Sequence, residues 1–336
     1  MKFSIAVLLC NLAIVGCSPQ KSLNKSSVRR IFHQAQNGLL EFSPDDRLLA
    51  TASNNTIVLL DASQGSQQWI LGNHLHPIRC MKFSPDGQTV ASVGWGERAI
   101  LLWNVRDRRL VRTLEGHDKP VRSIAFSSDG RFIASGSDED FMVILWDAET
   151  GHKLKTLVRK DLPVTSANIQ FIAFSPDNGL LAAGVDSVQG YSSVVFWSLP
   201  FGTEGARISL TAQPKRHVFL RNARILVLGD YRGVLHFINL DSFKVERILA
   251  AHDNLYALAV SPDQSLIATL AGGSGPGSSE LKLWDAAELT QRASLSGQYG
   301  CLISLAWSAD GETLATGASD GTIVLWDVNG ILEKEK

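Results

Sequence analysis

The stretch "KFSPDG" at residues 82–87 joins the end of an apolar segment to a tight turn, and its recurrence along the chain indicates the fold. Pro85 presets φ for a turn, Asp86 can hydrogen-bond its own backbone, and Gly87 tolerates positive φ. The same phrase, or a close variant, begins at six apolar residues along the chain: Phe42, Phe83, Phe126, Phe174, Val260 and Trp307. The chain therefore repeats one strand-to-turn unit.

The spacing of these residues gives a period of about 41–48 residues, with one gap about twice as long. "HVFLRNARIL" at residues 217–226 lies in that gap and places Phe219 at the missing position. A Trp-Asp pair or a variant of it has the same period: Leu60-Asp61, Trp103-Asn104, Trp146-Asp147, Trp197-Ser198, Ile238-Asn239, Trp284-Asp285 and Trp326-Asp327. Both landmarks predict seven units.

Each unit reads as four short strands, which in the third unit are "VRSIAFS", "RFIASGS", "FMVILWD" and "KLKTLVR". β-branched and aromatic residues fill these segments, and turn residues separate them. The third segment is continuously apolar, as expected for a strand buried on both faces. Each sheet must then be covered by its neighbours, and a closed ring achieves this without long exposed edges. The predicted fold is an all-β, seven-bladed β-propeller with four antiparallel strands per blade.

The N-terminal segment "SVRRIFH" at residues 27–33 resembles "LVRTLEGH" at 110–117, which precedes another unit. Only nine residues follow Asp327, too few for a further outer strand. We expect the N-terminal strand to complete the last blade beside "TIVLWD" at 322–327 and so close the ring. The propeller is then predicted over residues 27–330, with a charged tail at 331–336.

These motifs resemble the WD-repeat β-propeller family over roughly residues 28–330. The third and seventh units match well. The fourth and fifth match poorly, because neither has the Gly-His pair found at Gly116-His117 and the fifth lacks the Trp. The resemblance implies a protein-binding propeller in which a His, a Ser or Thr and an Asp hydrogen-bond in series to the Trp indole.

A quartet of this kind is present in the third unit as His117, Ser135, Asp140 and Trp146. Its near-copies are His74, Ser92, Glu97 and Trp103; then His252, Thr269 and Trp284 without an acid; and Thr316, Asp320 and Trp326 without a His. Ser, His and Asp together could indicate a hydrolase. A catalytic site would occur once, however, so the repetition favours a structural role.

The N-terminus "MKFSIAVLLCNLAIVGCSPQKS" at residues 1–22 has the composition of a secretory signal. "IVGC" at 14–17 resembles the bacterial lipobox. We expect removal of residues 1–16, acylation of Cys17 and a polar tether over 17–26, which makes the protein an exported, lipid-anchored component of the bacterial envelope. The alternatives are an ordinary signal peptide and an uncleaved anchor.

Composition narrows the remaining possibilities. The formal net charge is −1, which argues against nucleic acid as a partner. Cys80 and Cys301 fit no metal spacing and are expected to be buried thiols rather than a disulfide. "HLHP" at 74–77 lacks a third metal ligand, and "GGSGPGSS" at 272–279 lacks the Lys of a phosphate loop. No cofactor or metal is predicted.

The resemblance places the loops between second and third strands, and those entering each first strand, on one face of the disc, here called the loop face. The turns like "SPDG" lie on the opposite turn face. The expected loop-face aromatics are Trp95, Phe141, Tyr191, Tyr231 and Tyr256. Of the residues four before each turn landmark, which should ring the channel mouth, three are cationic and none is acidic: Arg79, Arg122 and Lys215.

Two interpretations of these loop-face residues stay open. They could capture a carboxylate or an acidic segment of a partner, or they could simply fill a wet channel and pack between blades. We expect a non-catalytic, monomeric scaffold that binds a protein or peptide and touches the membrane only through its lipid. The alternatives are a periplasmic propeller enzyme or small-ligand-binding protein, and a structural subunit of an envelope assembly.

Overall fold

The structure is a computed structural model that describes residues 27–33, 39–139, 141–158, 168–187, 190, 192–199, 203–220, 224–272, 279–296 and 301–333. These residues form seven four-stranded antiparallel sheets arranged as the blades of a propeller. The predicted seven-bladed, all-β architecture is confirmed, with one short helix added.

The first three blades follow the chain in order, from the innermost to the outermost strand. Blade 1 contains β2 (Leu40–Phe42), β3 (Leu48–Ser53), β4 (Thr56–Asp61) and β5 (Gln67–Leu71). Blade 2 contains β6 (Ile78–Phe83), β7 (Thr89–Gly94), β8 (Ile100–Asn104) and β9 (Arg109–Leu114). Blade 3 contains β10 (Val121–Phe126), β11 (Phe132–Ser137), β12 (Met142–Asp147) and β13 (Lys153–Val158).

The next three blades repeat the same order. Blade 4 contains β14 (Asn168–Phe174), β15 (Leu180–Asp186), β16 (Ser192–Ser198) and β17 (Thr203–Leu210). Blade 5 contains β18 (Pro214–Leu220), β19 (Ile225–Asp230), β20 (Val234–Asn239) and β21 (Lys244–Ala250). Blade 6 contains β22 (Ala257–Val260), β23 (Leu266–Ala271), β24 (Glu280–Asp285) and β25 (Gln291–Ser296).

Blade 7 joins the two ends of the described chain. It contains β26 (Leu302–Trp307), β27 (Thr313–Ala318), β28 (Thr322–Asp327) and, outermost, β1 (Val28–His33). β1 is antiparallel to β28, with Ile31 opposite Val324. The Ser27 hydroxyl donates to the carbonyl oxygen of Gly330 at 3.2 Å. The expected closure by the N-terminal strand is confirmed.

A five-residue helix, α1 (Val328–Leu332), follows the last strand. Val328 and Ile331 are buried in the same core cluster as Trp326, so the helix seals the end of blade 7. The helix crosses the domain boundary predicted at residue 330. The helix is too short to produce an amphipathic pattern, so it could not be predicted from the sequence.

The core lies between adjacent blades. In β12, Val143 and Leu145 belong to a cluster shared with blade 4, whereas Ile144 and Trp146 belong to a cluster shared with blade 2. Successive side chains of a strand point to opposite faces, so a continuously apolar strand serves both neighbours. This explains why each third strand is apolar throughout.

Six turns on the turn face share one hydrogen-bond pattern. The serine hydroxyl donates to the aspartate two residues later, in the pairs Ser43–Asp45, Ser84–Asp86, Ser127–Asp129, Ser175–Asp177, Ser261–Asp263 and Ser308–Asp310. In the second blade the Ser84 hydroxyl also accepts from the N–H of Thr89 at 2.9 Å, and Gly87 adopts φ +70°. The repeated sequence phrase thus encodes a self-contained turn between the first two strands of a blade.

Candidate binding site on the loop face

Blade 2 contains a complete hydrogen-bonded series that ends at a tryptophan. Glu97 Oε2 lies 2.6 Å from His74 Nδ1, and His74 Nε2 lies 2.7 Å from the Ser92 hydroxyl oxygen. The indole N–H of Trp103 donates to that hydroxyl at 2.8 Å. Burial alone would raise the pKa of Glu97, but the bonds from His74 and from backbone N–H groups outweigh it and lower this pKa.

Blade 3 repeats the inner part of this series. His117 Nε2 lies 2.7 Å from the Ser135 hydroxyl, and the indole of Trp146 donates to the same hydroxyl at 2.8 Å. Ser135 and Trp146 are almost fully buried, so the bonds satisfy polar groups that water cannot reach. Asp140, predicted as the fourth member, lies outside the described residues.

Blades 6 and 7 have shorter versions. Thr269 Oγ1 lies 2.8 Å from His252 Nε2 and accepts from the Trp284 indole at 2.7 Å. Contrary to the expectation that this unit has no acid, Glu280 Oε2 lies 3.4 Å from His252 Nδ1. Glu280 begins the third strand of its blade, whereas Glu97 of blade 2 lies in the loop before the third strand.

In blade 7, the Trp326 indole donates to Thr316 Oγ1 at 2.9 Å. Asp320 accepts from the backbone N–H of Thr322 at 2.8 Å, and so it fixes the loop rather than extending a side-chain series. All four networks hold a tryptophan against its own blade, which is a structural task repeated around the ring.

The channel-mouth residues occupy a special backbone position. In five innermost strands the pairing register with the second strand shifts by one residue, which is a β-bulge. The extra residues at these bulges are Arg79, Arg122, Gln170, Lys215 and Ile303. A bulge re-aims a side chain out of the regular alternation. In these five strands, one side chain near the start of the strand therefore leaves the regular alternation.

Arg79 and Arg122 share the carboxylate of Asp138, a pairing that was not predicted from the sequence. Arg79 Nη1 donates to Asp138 Oδ2 at 2.7 Å, and Arg122 Nη1 donates to Asp138 Oδ1 at 3.0 Å. The Arg79 side chain is only 8% exposed, and its guanidinium stacks on Trp95 at 4.3 Å. None of the counted positions is acidic, but Asp138 from the loop after β11 pairs with both arginines and neutralises part of their charge.

Lys215 and its neighbour Arg216 have a different environment. Lys215 Nζ lies 4.5 Å from the centre of the Tyr256 ring, and Arg216 Nε donates to the Tyr256 carbonyl oxygen at 2.5 Å. Burial lowers the pKa of Lys215, and the charge of Arg216 lowers it further. Among the residues that the structure describes, no carboxylate forms an ion pair with either cation.

Comparison with known families agrees with the repeat geometry. The family model described as "WD domain, G-beta repeat" (WD40) matches residues 26–61, 65–104, 108–147, 243–285 and 289–327, together more than half of the chain. The chain belongs to the WD40 repeat family. The longest interval without a match, 148–242, includes all of blade 4 and the first three strands of blade 5.

Similar proteins share segments of the WD40 repeat with this chain. An uncharacterized WD repeat-containing protein of Synechocystis sp. is 33% identical over 75 residues, 22% of this chain and 22% of that protein. The small ribosomal subunit protein RACK1 of Drosophila melanogaster is 36% identical over 91 residues, 24% of this chain and 26% of that protein. The chain spans about a quarter or less of the length of the curated relatives it matches.

The WD40 loop face presents some of the expected aromatics. Trp95 and Tyr231 are 54% and 45% exposed, and Tyr256 is half-buried beneath Lys215. Phe141 instead lies in the core against Trp197 of blade 4, which agrees with the interpretation that this aromatic packs between blades. Tyr191 and Cys17 lie outside the described residues.

Three further observations bear on chemistry. Within the described ranges, no three His, Cys, Asp or Glu side chains are grouped so that they could hold a metal ion. No helix in that part of the chain is long and apolar enough to cross a bilayer. Cys80 and Cys301 are both free thiols, and burial raises the pKa of each.

Proposed function

We propose that this WD40 propeller is a non-catalytic scaffold that an acylated Cys17 tethers to the bacterial envelope, and that it binds a protein or peptide partner on its loop face. WD40 propellers are typically protein-interaction scaffolds. The observation that carries the proposal is the placement of cations at β-bulges around one channel mouth, with exposed aromatics beside them.

The two faces of the disc differ in a way that supports binding on the loop face. The turn face repeats one hydrogen-bonded turn in six blades, whereas the loop face differs from blade to blade. Trp95 stacks on Arg79, and Arg232 Nε donates to the Tyr231 hydroxyl at 3.2 Å. Partly exposed aromatic and arginine side chains of this kind are enriched at interaction hot spots.

The anchor is supported by the sequence "IVGC" at residues 14–17 and by the tether after it. Residues 18–26 can span at most about 30 Å when fully extended. Since β1 is the outer strand of blade 7, that blade would stay close to the membrane. Mass spectrometry of the mature N-terminus tests the anchor, and an unmodified Cys17 would contradict it.

Site-specific photocrosslinking in intact envelopes tests the binding face. We expect a photoreactive residue at position 95 or 231 to yield a discrete protein adduct. The matched control is the same residue at position 86, in the turn on the opposite face, which should yield no such adduct. Adducts from position 86 with none from 95 or 231 would move the partner to the turn face.

A further inference from the structure

Blade 5 departs from the other blades beside the channel mouth. The residue after the bulge is Cys80 in blade 2, Ser123 in blade 3, Phe171 in blade 4 and Ser304 in blade 7. In blade 5 this residue is Arg216, directly after the bulged Lys215. Blade 5 therefore has two adjacent cations, because the residue after the bulge is neutral in the other four blades.

Backbone carbonyls hold the Arg216 side chain. Its Nε donates to the Tyr256 carbonyl oxygen at 2.5 Å, and its Nη1 donates to the Lys215 carbonyl oxygen at 3.1 Å. These bonds fix the guanidinium without neutralising its charge. Arg79 and Arg122 differ in this respect, because both donate to the carboxylate of Asp138.

Two further cations, Arg122 and Lys82, act on Arg216 and its neighbour His217. Solvent reaches Arg216, but nearby protein atoms partly desolvate it, and both this burial and the charge of Arg122 lower its pKa. Arg122 belongs to blade 3, two blades away, and its guanidinium already donates to Asp138. Burial, with the charges of Lys82 and Arg216, lowers the pKa of His217 to about 3, which keeps this imidazole neutral.

We propose that Lys215 and Arg216, bordered by Arg122, form an oxyanion-binding site in the channel mouth that takes a carboxylate of an acidic peptide segment. A guanidinium fork suits a carboxylate in two-point contact, and the ammonium group adds a second charge. Tyr256, 4.5 Å from Lys215 Nζ, offers ring area for the rest of the segment. The site rests on the proposed binding function of the loop face and specifies the chemistry of the partner, but it does not depend on the lipid anchor.

Isothermal titration of the purified full-length chain with hexaglutamate at low ionic strength tests the site. We expect Arg216→Gln and Lys215→Gln each to weaken binding about tenfold or more at unchanged melting temperature, a loss of about 1.4 kcal/mol. Arg216→Lys, which keeps the charge but not the fork, should recover part of the loss.

The matched control is Lys119→Gln. Lys119 lies in a loop of the same face, and its Nζ already donates to Glu139 Oε2 at 2.9 Å. It should change binding less than twofold. An equal loss in Lys119→Gln, or no binding of hexaglutamate by the wild type, would overturn the site. If inorganic phosphate binds as tightly as hexaglutamate and with the same dependence on Arg216, the site would bind a small anion and not an acidic peptide.

The partner experiment is separate from this one. Hexaglutamate binding without crosslinked adducts at positions 95 and 231 would keep the anion site and reject the proposed binding face. If adducts form but Arg216→Gln does not change hexaglutamate binding, the proposed binding face is kept and the anion site is rejected.

Discussion

Blades 3 and 5 have the same four-stranded topology, but different side chains fill their interiors. In blade 3, Trp146 donates to the hydroxyl of Ser135, which also contacts His117. The pairing register places Ile238 of blade 5 where blade 3 has Trp146, and Leu228 where it has Ser135. Both blade 5 residues are fully buried.

The difference teaches that the tryptophan network is one way of filling a blade and not a requirement of the fold. Replacing both partners of a buried hydrogen bond by apolar groups can cost little, whereas removing one partner is expensive. Blade 5 keeps a buried polar pair elsewhere, since His236 Nε2 lies 3.0 Å from Asp230 Oδ2. Asp230 also accepts from the N–H groups of Arg232 and Val234, so this pair fixes a loop of the loop face.

Truncating the two equivalent residues should have the largest effect and should separate the two blades. Trp146→Ala should lower the free energy of unfolding by about 3–5 kcal/mol, because it opens a cavity and removes the indole donor from Ser135. Ile238→Ala removes only apolar volume and should cost less, toward the lower end of about 2–5 kcal/mol. Urea unfolding measures both, and an equal or larger cost for Ile238→Ala would contradict the comparison.

The repeat explains how much of the fold could be predicted. The turn phrase recurs with a fixed period, and an apolar third strand requires covered faces, so the number of blades and the ring closure followed from the sequence. The sequence left open whether Phe141 is exposed, because a loop aromatic beside a strand can turn into the core, and only packing decides which way it points. The helix Val328–Leu332 spans little more than one turn, too short for a periodic signal.

The candidate site was only partly predictable, because its charges pair across loops. Counting back from the turn found Arg79, Arg122 and Lys215, since the bulge occurs at a constant distance from the turn. Asp138 follows a different strand and contacts two blades at once, so spacing along the chain could not assign it. A signal for Arg216 did exist, namely a second cation directly after Lys215 in the most divergent blade.

Removing one hydroxyl from a tryptophan network should have an intermediate effect. Thr269→Val and Thr316→Val keep the side-chain shape but leave an indole N–H without its acceptor, at a cost of about 1–3 kcal/mol each. Thr269→Val should cost more, because Thr269 also contacts His252 at 2.8 Å. Unfolding of both variants in urea tests this order, and a neutral Thr269→Val would show that the network contributes nothing to stability.

The smallest expected effect is a change in acid sensitivity, and it compares the carboxylate–histidine pairs of blades 2 and 5. Hydrogen bonds from His74 and from backbone N–H groups hold the pKa of Glu97 below its ordinary value of 4.5, although burial opposes this. A carboxylate with a lowered pKa stabilises the fold above its unfolded pKa, and this contribution is lost as the pH falls through the folded pKa.

Glu97→Gln should therefore unfold more easily than the wild type at pH 7, by about 1 kcal/mol or less, and should lose less stability as the pH falls below about 4.5. Asp230 in blade 5 is held below its ordinary 3.8 by His236 and backbone N–H groups, again against burial, so Asp230→Asn should show the same behaviour at lower pH. Urea unfolding at stepped pH values measures both slopes. If Glu97→Gln kept the wild-type slope, the carboxylate of blade 2 would not be stabilised by its network. If only Asp230→Asn kept the wild-type dependence of stability on pH, blade 5 would differ from blade 2 in its electrostatics as well as in its packing.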